Sequence, residues 1–183
     1  MTDDRPTRLP GDPDARETVH RMIRVNQAGE FGAKRIYQGQ LAVLGHTKDG
    51  AVLRDILAQE EKHLDRFNAL VADRGVRPTV LEPLWNVAGF ALGVATAALG
   101  REAAMACTVA VEDVIGAHYA KQADSLGADE AELKATIVAF RADELHHREI
   151  SLAEGAEQAP GYAALTGAVK AATRLAIWLS TRV

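Results

Sequence analysis

One lone glutamate followed by a Glu-x-x-His occurs twice in this chain: Glu30 with Glu60 and His63, then Glu112 with Glu144 and His147. The lone glutamate precedes its Glu-x-x-His by 30 residues in the first half and by 32 in the second. On an α-helix, residues three apart share a face, so each Glu-x-x-His aims a carboxylate and an imidazole at one point. About 30 residues make one helix, a turn and part of the next, which puts the lone Glu and its Glu-x-x-His on neighbouring antiparallel helices. The pattern predicts an all-α four-helix bundle whose interior holds the ligand set of a carboxylate-bridged di-iron centre.

The neighbours of these residues support that placement. Ile56, Glu60, His63, Leu64 and Phe67 lie on one helical stripe, and Ile137, Phe140, Glu144, His147 and Ser151 on another. Thr108, Glu112, Ile115 and Tyr119 form a third, and Gln27, Glu30 and Tyr37 a looser fourth. A glutamate buried alone in such a stripe is strongly destabilising, whereas several converging on a cation are compensated. An ordinary solvated helix glutamate explains one Glu-x-x-His. It does not explain two copies, each preceded by an in-stripe Glu at matched distance.

The rest of the chain fits one helical domain. Its 183 residues are 48% hydrophobic and only 5% aromatic, with abundant Ala, which favours helix over strand. A net charge of −4 gives no reason to expect a nucleic-acid partner. Cys107 is the sole cysteine and lies in a run of small residues, so it reads as a packed core thiol with no disulfide to form. Residues 1–14 are polar and rich in Pro and Asp, with no apolar run of a signal peptide, and read as a mobile leader before a domain over 15–183.

Helices are expected over 15–44, 49–74, 102–125 and 129–154, with a final helix from Pro160-Gly161 to about 181. Gly29 and Gly32 beside Glu30 cost helix stability; a close-packed neighbour, room for a metal ligand or a local bend would each explain them. Residues 84–100 carry no charge. These 17 residues sit at the lower edge for crossing a membrane, and Asn86, Thr96 and three glycines weaken that reading. A buried core helix and an interfacial helix with Trp85 at headgroup level both fit. In either case the segment is the long hydrophobic crossover of a ferritin-like bundle. The final helix mixes apolar residues with Lys170, Arg174 and Arg182, as either a membrane surface or packing on the bundle would require.

Carboxylate-rich ligation with one imidazole per metal suits iron or manganese rather than structural zinc. Six donors serve two metals if Glu60 and Glu144 bridge, Glu30 and Glu112 cap, and His63 and His147 complete each side. Such a pair can pass electrons to O2, which leaves oxidase, peroxidase and monooxygenase chemistry open, beside iron storage and a non-enzymatic bundle. Tyr119 shares a stripe with Glu112 and reads either as core packing or as a group reaching the metals. His46 reads as a solvated loop residue, and His146 points about 100° away from His147.

The stretches Asn-Gln-Ala-Gly-Glu-Phe-Gly-Ala-Lys-Arg-Ile-Tyr-Gln-Gly-Gln (26–40), Glu-Glu-Lys-His-Leu (60–64), Ala-Cys-Thr-Val-Ala-Val-Glu (106–112) and Asp-Glu-Leu-His-His (143–147) closely resemble the demethoxyubiquinone hydroxylase family. The resemblance covers nearly everything after the leader. It implies O2-dependent hydroxylation of 2-polyprenyl-3-methyl-6-methoxy-1,4-benzoquinol, the penultimate step to ubiquinone. It also implies two iron ions on Glu30, Glu60, His63, Glu112, Glu144 and His147, with NADH as a possible reductant. The family's His-Tyr pair, to which an electron or proton relay is attributed, falls on His118 and Tyr119. The resemblance further implies peripheral membrane attachment through residues 84–100, and without the targeting leader of mitochondrial members the chain is expected at the cytoplasmic side of a bacterial inner membrane. A lipid-binding accessory protein and a homo-oligomer are also expected on this ground.

Overall fold

The computed structural model describes residues 12–183, so the leader expected over 1–14 lies, up to residue 11, outside the described residues. Six α-helices follow: α1 (Ala15–Leu44), α2 (Gly50–Arg74), α3 (Glu82–Ala98), α4 (Arg101–Ser125), α5 (Ala131–Ala153) and α6 (Tyr162–Ser180). Single 3-10 turns at Ala128–Glu130 and Ala156–Gln158 flank α5, and no strand occurs among the described residues. The helix expected from residue 129 therefore starts as a 3-10 turn and becomes α-helical at Ala131. At the start of α1 the Asp14 carboxylate accepts the Glu17 N–H at 2.6 Å. Gly75 closes α2 with φ +61°, a left-handed cap that favours glycine.

The bundle is two helical hairpins, α1–α2 and α4–α5, with α3 lying along α1 and α6 along α4. α4 sits at the centre. Sixteen of its 25 residues are buried, on all sides, because it meets α1, α3, α5 and α6. Ala103, Ala104, Ala106 and Ala110 keep its girth small enough for that crowding. Cys107 lies among them, fully buried, and burial raises its thiol to about 12; it is an inert core residue as expected. The stripes drawn from sequence face inward: Phe67, Ile115, Tyr119 and Ile137 share one core cluster, while Tyr37, Ile56 and Met105 share another.

α3 is not an ordinary core helix. Only Gly93, Thr96 and Ala97 are buried, while Leu84, Val87 and Leu99 are exposed. Its inner side meets α1 backbone to backbone. A Cβ on Gly93 would run into the carbonyl oxygen of Ile36, and one on Gly39 into that of Phe90. Gly29 and Gly32 are different: a Cβ on either meets nothing within 4 Å, so neither reflects a close-packed neighbour. No helix among the described residues is long and apolar enough to cross a membrane.

The contrast between glycines gives a paired prediction. Helix propensity alone favours Ala over Gly by about 1 kcal/mol. Gly167→Ala, in open space on α6, is expected to raise the melting temperature. Gly93→Ala is expected to lower stability by about 1–3 kcal/mol, since the clash forces α3 off α1. Chemical denaturation of both variants checks the opposite signs.

Candidate metal centre

Each hairpin brings one lone glutamate and one Glu-x-x-His to the middle of the bundle. Glu30 comes from α1, Glu60 and His63 from α2, Glu112 from α4, and Glu144 and His147 from α5. All six are buried at 2% exposure or less. They form two overlapping groups, Glu30–Glu60–His63–Glu144 and Glu60–Glu112–Glu144–His147, with one potential ligand atom per residue within 4.8 Å of the others. Glu60 and Glu144 belong to both groups, the position required of bridging carboxylates.

Distances show how the imidazoles face the carboxylates. His63 Nδ1 lies 3.2 Å from Glu144 and 3.6 Å from Glu30, and His147 Nδ1 lies 3.1 Å from Glu60 and 3.3 Å from Glu144. His63 Nε2 is 3.1 Å from the Asp143 carboxylate, an acceptor, so Nε2 carries a proton and Nδ1 is the nitrogen turned to the centre. The ring of Phe140 stacks on His63 with centroids 3.9 Å apart. His147 Nε2 is buried with no hydrogen-bond partner, so the two imidazoles are not equivalently supported.

Two tyrosines cross between the hairpins. Tyr37 Oη on α1 donates to Glu112 Oε1 on α4 at 2.6 Å, and Tyr119 Oη on α4 donates to Glu30 Oε1 on α1. Each lone glutamate thus has one oxygen held by a phenol of the opposite hairpin. The remaining oxygens of Glu30 and Glu112, both oxygens of Glu60 and Oε1 of Glu144 are buried without a hydrogen bond. Such atoms are costly unless a cation neutralises them.

The electrostatics point the same way. Burial, then repulsion from Glu144 and the other carboxylates, raises Glu60 well above the ordinary range. Burial and then Glu144 do the same to Glu112, and burial first of all raises Glu144. Burial alone would lower His63, but the close carboxylates of Glu144 and Glu30 outweigh it and raise it to about 10. Without a cation the cluster must hold protons. The donor set, its orphaned oxygens and its overlapping geometry fit a pair of hard or intermediate cations.

His118 lies outside both donor groups. Its Nε2 is 2.8 Å from Gln122 Nε2, and Gln122 exchanges two hydrogen bonds with Asn26, at 2.8 and 2.9 Å. Burial, followed by the charge of Lys121, lowers His118 to about 4, so it is neutral near pH 7. His46 and His146 are exposed, as expected. Sequence reasoning missed the roles of Tyr37 and Asp143. Tyr37 carried a readable signal: it stands seven residues after Glu30, as Tyr119 stands seven after Glu112.

An apolar cavity of about 280 Å³ lies between α1, α3, α4 and α6. Its inner wall includes Gly29 and Ala33, on either side of Glu30, and Val111 beside Glu112. The two glycines therefore border open space beside a candidate ligand.

Residues 17–180 match the family described as "Ubiquinone biosynthesis protein COQ7". The chain belongs to this family. A relative in Rhodospirillum rubrum, "3-demethoxyubiquinol 3-hydroxylase", is 60% identical over 177 residues, 96% of this chain and 84% of that protein. The human "NADPH-dependent 3-demethoxyubiquinone 3-hydroxylase, mitochondrial" is 51% identical over 173 residues, 92% of this chain and 80% of that one. The "5-demethoxyubiquinone hydroxylase, mitochondrial" of Saccharomyces cerevisiae is 42% identical over 182 residues, 90% of this chain and 78% of that one. COQ7 membership agrees with the resemblance carried by residues 26–40, 60–64, 106–112 and 143–147.

Two predictions concern the metal-free and loaded states. Glu60, Glu112, Glu144 and His63 bind protons more tightly folded than unfolded, so the folded chain carries the excess protons and stability falls as pH rises. This contribution is complete below about 4.3, the ordinary Glu value, and is lost as pH passes the raised values. The metal-free protein is expected to melt at a lower temperature at pH 9 than at pH 7, and added Fe(II) or Mn(II) to flatten that slope. Asp143→Asn weakens the acceptor behind His63 and is expected to lower metal affinity about 10–100-fold in competition with a chromogenic chelator.

Proposed function

We propose that this chain is a di-iron monooxygenase that hydroxylates the ring of 2-polyprenyl-3-methyl-6-methoxy-1,4-benzoquinol with O2, in the penultimate step of ubiquinone biosynthesis. The observation that carries the reading is an apolar cavity whose wall includes Gly29 and Val111, the chain neighbours of Glu30 and Glu112 in the buried carboxylate cluster. Glu30, Glu60 and His63 on one side, and Glu112, Glu144 and His147 on the other, would hold two iron ions, with Glu60 and Glu144 shared. Iron bound there supplies the redox chemistry of O2 activation.

The chain's own residues do the rest. Val25, Ala28, Ile36, Leu92, Val111 and Ile115 give the cavity walls that accept a ring and exclude water. Tyr37 and Tyr119 hold one oxygen each of Glu112 and Glu30, leaving the other without a hydrogen bond and able to hold a metal. Tyr119, whose proton lies at a candidate ligand, and His118, tethered through Gln122 to Asn26 one turn before Glu30, are placed for a proton or electron relay. Electrons come from a reduced nicotinamide nucleotide. NADH is the sequence expectation and NADPH appears in the name of the human relative, so the two are compared directly in the assay.

The exposed apolar residues Leu84, Val87 and Leu99 of α3, with Leu175 and Trp178 of α6, suit peripheral contact with the membrane that holds a polyprenyl substrate. A cytoplasmic-side position on a bacterial inner membrane is the sequence expectation, and a lipid-binding accessory protein and self-association rest on the resemblance alone. Iron storage is disfavoured because a storage subunit has little use for an apolar cavity beside the metals and an apolar face outside it.

The test is a product assay. Protein loaded with Fe(II) and given a reductant, a demethoxyquinone and labelled O2 is expected to yield one labelled oxygen in the quinone by mass spectrometry. Glu60→Ala removes a ligand common to both groups. It is expected to bring iron from two per chain toward zero and to abolish the product, with helical circular dichroism retained. Full hydroxylation by the variant would refute the site.

A further inference from the structure

We infer that the Ser180 hydroxyl donates a hydrogen bond to one of the two oxygens on the substrate's quinol ring, and that the Trp85 indole holds Ser180 free to do so. The inference rests on the quinol reading of the cavity above. Ser180 is 2% exposed and lines that cavity from the end of α6. A hydroxyl on a helix ordinarily donates to the carbonyl four residues back. Thr166 and Thr173 of α6, and Thr181 at its end, all do so, to Tyr162, Val169 and Ile177. Ser180 does not. Its Oγ accepts the Trp85 indole N–H at 3.0 Å, and its own proton reaches no acceptor among the described residues.

A buried donor left unused is costly, and the cost is removed when a ligand brings an acceptor. The other polar side chains of the wall are already committed. Trp85 donates to Ser180, and the Thr173 hydroxyl donates to the Val169 carbonyl at 2.9 Å. Ser180 is therefore the spare side-chain donor in an otherwise apolar wall. With one lone pair of Oγ taken by the indole N–H, the O–H is left to turn toward an incoming oxygen. A pocket that is apolar except for a single placed donor binds an apolar body and fixes its orientation through one polar atom.

The donor stands at one end of the cavity. α3 runs alongside α1 in the same direction, for a Cβ on Gly89 would meet the Gly32 carbonyl and one on Gly93 the Ile36 carbonyl. Trp85, one turn before Gly89, is then level with Ala28 and Gly29, and the opposite end, at Ile36 and Leu92, is apolar. Gly29 and Gly32 both line the cavity, and a Cβ on either would meet nothing within 4 Å. A wall of bare backbone is flat and suits the face of a ring. A ring oxygen held by Ser180 lays the ring over Gly29, the chain neighbour of Glu30.

Binding of a short-tailed demethoxyquinone to the iron-loaded protein tests the inference, read by infrared difference spectroscopy of its isotope-labelled carbonyls. One carbonyl stretch is expected to move to lower frequency in the wild-type protein and to return to its unbonded frequency in Ser180→Ala. Trp85→Phe releases Ser180 to donate to the Ala176 carbonyl and is expected to lose the shift as well. Loss of one hydrogen bond weakens binding by up to about tenfold, and Ser180→Ala is expected to show this in Kd with iron content retained. Of two analogues that each lack one ring oxygen, one is expected to bind the wild type and Ser180→Ala alike. A quinone that binds with neither carbonyl shifted, or with a shift that survives Ser180→Ala, overturns the inference and leaves the quinol reading standing. Equal weakening by Ser180→Ala for the quinone and both analogues marks a packing role and overturns it too. If the wild-type protein binds no quinone, the quinol reading falls and the inference with it.

Discussion

Four carboxylates share a buried volume in which the donor atoms of each group lie within 4.8 Å of one another, and the rest of the structure answers that repulsion. Like charges at such distances in a low-dielectric interior interact by several kcal/mol even at an effective dielectric near 20. Without a cation, burial and mutual repulsion favour retained protons on Glu60, Glu112 and Glu144, and the surrounding carboxylates favour a proton on His63. A cation pair relieves the same repulsion with the carboxylates ionised. Metal binding and folding are thus linked through one cluster.

Two features hold the glutamates in place while they repel. α4 is threaded through the centre on alanine-sized contacts, so it carries Glu112 inward without spreading the bundle. The crossed phenols, Tyr37 to Glu112 and Tyr119 to Glu30, then tie α1 to α4 through the very side chains that would push them apart. Symmetry is broken behind the imidazoles. Asp143 and Phe140 support His63, whereas His147 Nε2 has no comparable partner. Two metals held here would meet unequal ligand basicity even though the ligand types repeat.

The clustering of the six Glu and His side chains and the helix count were legible because both obey local periodicities. The i, i+3 spacing fixes a face, and the matched separations of 30 and 32 residues fix antiparallel neighbours. Helix ends were legible at Gly75 and Pro160-Gly161, where backbone chemistry stops a helix. Contacts between distant helices were not. Asp143 stands beside Glu144, but its partner is His63, 80 residues away, and Trp85 meets Ser180 over 95. The glycines showed both limits. Those of α1 read alike in sequence, yet Gly39 admits the backbone of α3, while Gly29 and Gly32 face open space. Only the position of α3 separates the two roles.

That position explains how an apolar crossover serves a polar centre. α3 is anchored to α1 through Gly39 and Gly93, where backbones touch, so it needs few buried side chains to stay in place. Its remaining side chains are then free to line a cavity on one side and to face outward on the other. Had α3 packed by interlocking large residues, those side chains would have filled the cavity between α1, α3, α4 and α6. The glycine contact thus does two things at once: it fixes the helix and keeps the cavity apolar and empty of protein. The low dielectric that makes the bare carboxylates costly also strengthens every interaction they make with a bound cation.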